Sequence, residues 1–462
     1  MMKDVLPKYC DAETAAQLIA QHGGEYAVVE NPAYVYPPFD LYPLPPKRHL
    51  LDGALAGAVM DMDGTTTTTE PLCIHALASM VARITGNAEN PAWPGLDHER
   101  DYPHIIGNST TKHVEYLVRT YADAIAPAAL RYWYIHAAAW TLGKGADAGR
   151  RREVAATLSA AGLRHLLEDV RFVRLQEAMD LEAPDARAVI AELAGECTTA
   201  FGVHDAAQVV RFAIDIYYQR YHEILAAIAA GEGDAVARDV LDETGAHLIE
   251  PMPGIGVFLA TLKGYLGEEL AACRTMLAEN LRGGAECGTL AASDTLARLG
   301  RYFEQNPARV AIVTSSIAYE AEIVLGEVFR LLAERVAHWP VSEARRGRIA
   351  AAFAEPRAYY DGIITASDSS EIRLKPHRDL YCLALHQLGL HPDELGRVAG
   401  FEDSESGTIA IRAAGISLCC ALPFTMTQGH AFHAASHVCM GGIPEVILGH
   451  TAFLEASLFE AQ

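Results

Sequence analysis

The sequence predicts an α/β protein, a doubly wound parallel sheet interrupted by a large all-helical insertion. Three observations carry this. Short apolar runs with strand character are widely separated and alternate with amphipathic helical patterns. The stretch 73–249 is rich in Ala, Leu, Arg and Glu and has almost no strand signal. The chain has 462 residues, enough for two to four domains with a sizeable core.

Taken in order, residues 11–22 have weak helical periodicity. Asn31–Pro46 holds six of the 22 prolines, so it is expected to be an extended arm rather than a strand or helix. The strand candidates are Leu55–Met60, Val310–Val313, Gly362–Thr365, Val398–Phe401 and Ile416–Ala421. Ala318–Leu332 and Arg378–Leu388 are expected helices. Within the insertion, breaks are expected at Gly143–Gly149 and Gly231–Asp234. The organisation that follows is an N-terminal arm over 1–50, a core over 51–72 and 250–462, and a helical domain over 73–249. Two smaller helical insertions in the core are expected near 266–306 and 333–355.

Lys and Arg number 37 against 59 Asp and Glu, a net charge of −22, which argues against a general binder of nucleic acid or anionic membrane. No run approaches the ~20 apolar residues of a membrane span, and the N-terminus lacks the features of a secretory signal. The nine cysteines are scattered without a CxxC pair, the pattern of reduced thiols in a cytoplasmic protein.

Chemistry enters at the strand ends. Asp61 and Asp63 follow the first strand candidate, and Gly64 permits the sharp exit. Two carboxylates so placed sit at the carboxyl edge of the sheet, where such folds build their sites. They can serve one metal ion while leaving one carboxylate free to attack or to carry a proton. Thr314, Ser315 and Ser316 end the second strand, where hydroxyl and N–H groups can hold phosphate oxygens or simply cap a helix. Lys375 precedes a helix and can neutralise an anion. Glu402 and Asp403 end a further strand and can complete an oxygen-only site for a hard cation such as Mg²⁺.

This order resembles the haloacid dehalogenase superfamily of phosphohydrolases, in the branch containing β-phosphoglucomutase and phosphoglycolate phosphatase. The strings that carry the resemblance are DMDGTTTTTEPL at 61–72, IIGNSTTKHVEYL at 105–117, MPGIGVFLATLK at 252–263, AIVTSS at 311–316, YYDGIITASD at 359–368, KPHRDLY at 375–381 and FEDSESGTIAIRAAGI at 401–416. The resemblance covers the sheet segments throughout, about half of the chain. The resemblance implies a Rossmann-like core with an inserted helical cap, acting on a small phosphate ester. It implies that Asp61 is the nucleophile, forming an aspartyl-phosphate, and that Asp63 is the general acid and base. Thr314 and Ser315 would hold the phosphoryl group, and Lys375 would offset charge. Mg²⁺ would be held by Asp61, the Asp63 carbonyl and Asp403, with Glu402 nearby or ligating. The aspartate at position 63 argues for phosphate-ester chemistry, since members that cleave carbon–halogen or carbon–phosphorus bonds lack it.

Two features depart from the pattern: Thr66–Thr69 replaces a mainly apolar-then-acidic stretch, and Arg378 stands in place of a proline. Both bear on substrate preference more than on the core mechanism. In the insertion only Gly107–Glu115 resembles a familiar cap helix, and it makes Asn108, Thr111, Lys112 and His113 the candidates for substrate contacts. The aromatic run Arg131–Trp140 is expected to be core more than pocket lining, and Arg150–Arg152 a solvated face more than an anion site. His430, His433, His437 and Cys439 have a spacing suggestive of zinc, but the family pattern makes His437–Met440 a strand, which breaks it. The expected function is a Mg²⁺-dependent phosphatase. The rivals are a β-phosphoglucomutase-type phosphomutase, which shares every catalytic residue, and a catalytically silent scaffold. No nucleic-acid or membrane partner is expected.

Overall fold

The computed structural model describes residues 7–31, 35–105, 110–198, 205–241, 243, 245–282, 290–369, 373–424, 427 and 429–459. The chain divides into two compact units, one of 1–68, 250–321 and 325–462, the other of 69–249 with 322–324.

The first unit is built on a six-stranded, all-parallel sheet. In chain order the strands are β1 (Glu25–Glu30), β2 (Phe39–Leu44), β3 (Gly57–Asp61), β4 (Thr67–Thr68), β5 (Glu250–Pro251), β6 (Arg309–Val313), β7 (Gly362–Ile364), β8 (Val398–Glu402), β9 (Leu418–Ala421) and β10 (His437–Val438). The main sheet runs β10-β9-β8-β3-β6-β7. From β3 the chain steps outward through β6 and β7, then returns to the other side of β3 as β8. The order therefore reverses beside β3, and ligands bind in α/β sheets at the carboxyl ends of the strands flanking such a switch point.

Both faces of the sheet are covered. Val59, Val313, Ile364, Val398 and Cys419 pack with Leu380, Tyr381, Ala384, Ala410 and Ile411, which come from the helices Asp379–Gln387 and Glu405–Ala413. Phe401 lies three residues after Val398 and so points to the opposite face. It meets Phe258 of the helix Ile255–Leu262 at 5.2 Å between ring centroids. Strands buried on both faces explain why their sequences read as unbroken apolar runs rather than alternating ones.

The proline-rich arm corrects an expectation. Phe39–Leu44 is a strand, paired antiparallel with β1 from Glu25↔Leu44 to Glu30↔Phe39. Pro43 is tolerated because the sheet has only two strands and both are edges. Val29, Tyr42 and Leu44 of this hairpin are buried against Ala413. The buried Arg412 guanidinium ties the chain beyond β2 to the core by donating to the Pro45 carbonyl.

Thr67 and Thr68 pair with Pro251 and Glu250 in a short antiparallel ladder, and Met252 N–H donates to Thr66 O at 3.0 Å. The threonine run is thus the exit of the insertion lying beside its return. β-branched residues suit that extended pair.

The second unit is helical. Its main elements include Glu70–Ile84, Thr110–Thr120, Pro127–Lys144, Ala148–Ala160, Pro184–Glu196 and Ala206–Ala229. Tyr134, Ile135, Ala137–Ala139 and Trp140 are core. Arg150 differs from the solvated face expected for Arg150–Arg152. Its guanidinium pairs with Asp215, lies 4.3 Å from the Tyr218 ring centroid, and is 10% exposed against 3% for Asp215. Burial raises the Asp215 carboxyl to about 6, against the opposing pull of Arg150. Removing Asp215 leaves the buried guanidinium with the more exposed Glu153 as its carboxylate partner, so Asp215→Ala is expected to cost about 3 kcal/mol, the low end for a broken buried pair. The double replacement Arg150→Met with Asp215→Leu should recover most of that loss in denaturant unfolding. Single and double variants of equal stability would show that the pair is not coupled.

No described helix is long and apolar enough to cross a membrane. The described cysteines are free thiols.

Candidate active site

Four strand ends converge at the carboxyl edge beside the switch point. Asp61 is the last residue of β3 and is 6% exposed. Lys375 follows β7 by a loop and reaches back to it. Its Nζ donates to Asp61 Oδ1, to Glu402 Oε1 at 2.8 Å and to Val313 O at 3.2 Å, and lies 5.2 Å from the Tyr381 ring centroid. Glu402 closes β8, and its other oxygen accepts from the N–H and hydroxyl of Ser404, both at 2.8 Å. A Cβ on Gly407 would fall 1.7 Å from Glu402 Oε1, so only glycine lets the first turn of that helix approach the carboxylate.

Asp63 turns toward β6. Its Oδ2 accepts from Thr314 Oγ1 at 3.3 Å and from Ser316 Oγ at 3.2 Å. Thr314 is buried and its Oγ1 also caps Ser316 N–H at 3.0 Å, while Ser315 is exposed. In the loop after β3, Gly64 has φ +87°, and a Cβ there would lie 2.6 Å from the Asp403 carboxyl carbon. Asp403 in turn accepts from Thr65 Oγ1 at 3.3 Å, and Thr66 Oγ1 donates to Asp61 O at 2.7 Å. Of the threonines at 66–69, Thr66 thus fastens the loop to β3 through its side chain.

Burial pushes the Asp61 carboxyl well above the usual carboxylate range. Lys375 opposes this, and the charges of Glu402 and Asp63 add to it. Burial works against the Lys375 ammonium, but Asp61 and Glu402 more than offset it, so its pKa is raised. The three carboxylates of Asp61, Glu402 and Asp403 can place oxygen atoms within 4.8 Å of one another. An all-oxygen set of this kind suits a hard divalent cation such as Mg²⁺.

Of the residues singled out in the sequence, Asp61, Lys375, Glu402 and Asp403 come together, and Asp63 meets Thr314. Thr111 and Lys112 are exposed on the helix Thr110–Thr120, where His113 is buried. Asn108 lies outside the described residues.

Sequence reasoning placed Ser316 at the strand end but not its bond to Asp63, which it shares with Thr314, and it missed a clamp from the N-terminal hairpin. Arg373 Nη1 donates to Asp40 at 3.1 Å, its Nη2 to the Tyr42 hydroxyl at 2.7 Å and its Nε to Asp379 at 2.6 Å. The Tyr42 hydroxyl also lies 2.9 Å from His377 Nδ1, and the Arg378 guanidinium 5.2 Å from the Tyr42 ring centroid. Residues on both sides of Lys375 are thus held by β2. Arg378, the departure from the family string, is part of that contact.

No family model and no curated protein matches the chain. Solved structures do. CbbY from Rhodobacter sphaeroides in complex with phosphate has 15% identity and a TM-score of 0.38, covering 85% of this chain and 96% of that one. A mutant of CbbY in complex with xylulose-(1,5)bisphosphate has 16% identity and a TM-score of 0.35, with coverage of 84% and 97%. A HAD-superfamily hydrolase of subfamily IA from Geobacter sulfurreducens has 14% identity and a TM-score of 0.31, with coverage of 86% and 97%. The chain is thus similar to solved structures of which one is described as a HAD-superfamily hydrolase.

Proposed function

We propose that the protein is a phosphoric monoester hydrolase that acts on a small phosphorylated metabolite through an aspartyl-phosphate on Asp61. The observation that carries this reading is the Lys375 ammonium held between Asp61 and Glu402 beside Asp403, at the switch-point edge of the sheet. In the first step an Asp61 carboxylate oxygen forms a bond to phosphorus as the bond to the ester oxygen breaks. Asp63 gives its proton to that leaving oxygen. In the second step water attacks the aspartyl-phosphate, Asp63 takes the proton back, and phosphate leaves with Asp61 regenerated. Thr314 and the N–H of Ser315 hold the phosphoryl oxygens.

Asp61, Asp403 and the Asp63 carbonyl would hold Mg²⁺, which when bound supplies charge neutralisation for the transferring phosphoryl group. Glu402 acts here as the anchor for Lys375, because one oxygen serves Nζ and the other serves Ser404. Substrate contacts from Asn108, Thr111, Lys112 and His113 of the helical insertion belong to the same proposal. So does a cytoplasmic setting, which suits free thiols.

The test is phosphate release from sugar phosphates, phosphoglycolate, nucleotides and an aryl phosphate, with Mg²⁺ and with EDTA. Mg²⁺-dependent release is expected. Turnover confined to isomerisation primed by a sugar bisphosphate would replace the hydrolase with the mutase, and inertness toward every ester would overturn both.

The hairpin clamp adds a second expectation. Arg373 touches no reacting atom, but it positions the loop that carries Lys375. Small displacements of catalytic groups cost up to ~10²-fold, so Arg373→Ala is expected to lower kcat by about ten- to a hundredfold with KM nearly unchanged. Arg373→Lys should recover part of the loss. An unaltered kcat would reduce the hairpin to packing alone.

A further inference from the structure

We propose that Cys439, Glu445 and His450, with Cys420 beside them, form a binding site for a thiolate-preferring divalent cation of the zinc class. It lies at the β9–β10 end of the sheet and shares no residue with the carboxylate site at β3 and β8.

The side-chain donor atoms of Cys439, Glu445 and His450 lie within 4.8 Å of one another. A tetrahedral ion with bonds of ~2.0–2.3 Å sets its ligand atoms about 3.3–3.8 Å apart. His450 Nε2 lies 3.7 Å from Glu445 Oε1, and Cys420 Sγ lies 3.5 Å from Cys439 Sγ. The first separation matches an edge of that tetrahedron, and Cys420, outside the three-donor cluster, backs the Cys439 sulfur. The two thiols are fully buried, with Glu445 and His450 only partly so, which leaves a polar mouth over a sulfur floor. Soft thiolates with an imidazole select zinc-like ions, whereas the oxygen-only set elsewhere selects hard ones.

The surrounding chain holds the donors in place. Glu445 Oε2 accepts from Gly441 N–H at 2.7 Å, which orients the carboxylate and leaves Oε1 toward His450. His450 stacks on Phe453 at 5.2 Å and packs, tilted, against His437 at 5.1 Å. Directly after it, Thr451, Ala452 and Phe453 have φ of 46°, 56° and 61°. Three successive non-glycine residues in the left-handed region each cost about 1–2 kcal/mol. That turn brings His450 back to the helix Ile443–Leu448 that carries Glu445.

His450 and Glu445 were not among the ligands weighed in the sequence, which were His430, His433 and His437 with Cys439. The structure instead places His437 on β10 with its Nε2 2.9 Å from the His49 carbonyl.

The test uses the full chain, stripped of metal and held in excess Mg²⁺ so that hard carboxylate sites are occupied. Titration with Co²⁺ is expected to give about one equivalent bound per chain in a tetrahedral thiolate site, with a sulfur-to-cobalt charge-transfer band and intense visible bands. Zn²⁺ should bleach both. Cys439→Ser and His450→Gln should lose the bands, and Asp61→Asn should keep them. Saturating Co²⁺ that produces no sulfur charge-transfer band in the wild-type chain would overturn the site, whatever the variants do and whether or not the chain hydrolyses esters.

Discussion

Asp61→Asn is expected to abolish phosphate-ester turnover, by about four orders of magnitude or more, as the loss of a covalent nucleophile does when the rest of a site is intact. The amide keeps the size of the carboxylate but cannot form a stable acyl-phosphate. Its structural cost should be small. Asp61 is buried, and burial already disfavours its charge, so a neutral isostere relieves desolvation while giving up only the ion pair with Lys375. Lys375 retains Glu402 at 2.8 Å. The measurement is phosphate release under single turnover, with thermal unfolding as the control for the fold. Turnover within tenfold of wild type would remove Asp61 from the nucleophile's role. Trapping of labelled phosphate on the wild-type chain after acid quench, absent from the variant, would place the covalent bond on this residue.

The sheet was legible because its strands are buried on both faces, so each reads as a compact apolar run. Gly57–Asp61, Arg309–Val313, Gly362–Ile364, Val398–Glu402 and Leu418–Ala421 lie within two residues of the expected spans. The hairpin was not legible, because six prolines outweighed the alternation that buries Val29, Tyr42 and Leu44. Local propensity there yields to packing on Ala413. The strand-end carboxylates were legible as a set because parallel topology brings every carboxyl end to one edge. The partners that orient them were not. Arg373 with Asp40, and Cys439 with His450, are united by tertiary folding, and in the sequence each is one polar residue among many. Arg150 failed for the same reason, since its partner Asp215 lies 65 residues away on another helix.

Lys375→Met should have the second-largest effect, and it separates charge from packing. The methionine fills the volume of the lysine stem and keeps contact with Tyr381, but the ammonium that joins Asp61 to Glu402 is gone. Two buried carboxylates are then left facing each other, and removing one member of such a buried network costs about 3–5 kcal/mol. The chain can relieve part of this by binding a proton. Lys375 is the group that pulls the Asp61 pKa down against burial, Glu402 and Asp63, so its loss moves that pKa further up. A nucleophile must be ionised to attack. The acid limb of the rate profile is therefore expected to shift to higher pH, with kcat at its plateau lowered about 10²–10³-fold through the lost transition-state charge. The same linkage fixes the sign for stability. With the Asp61 pKa raised further above its unfolded value, the variant's deficit should shrink as pH falls toward that of an ordinary carboxyl. Glu402→Gln in the Lys375→Met background removes one of the facing charges and should restore stability without restoring turnover. If it restored both, Lys375 would be a structural counter-ion alone, and the charge that offsets the phosphoryl group would have to come from another residue.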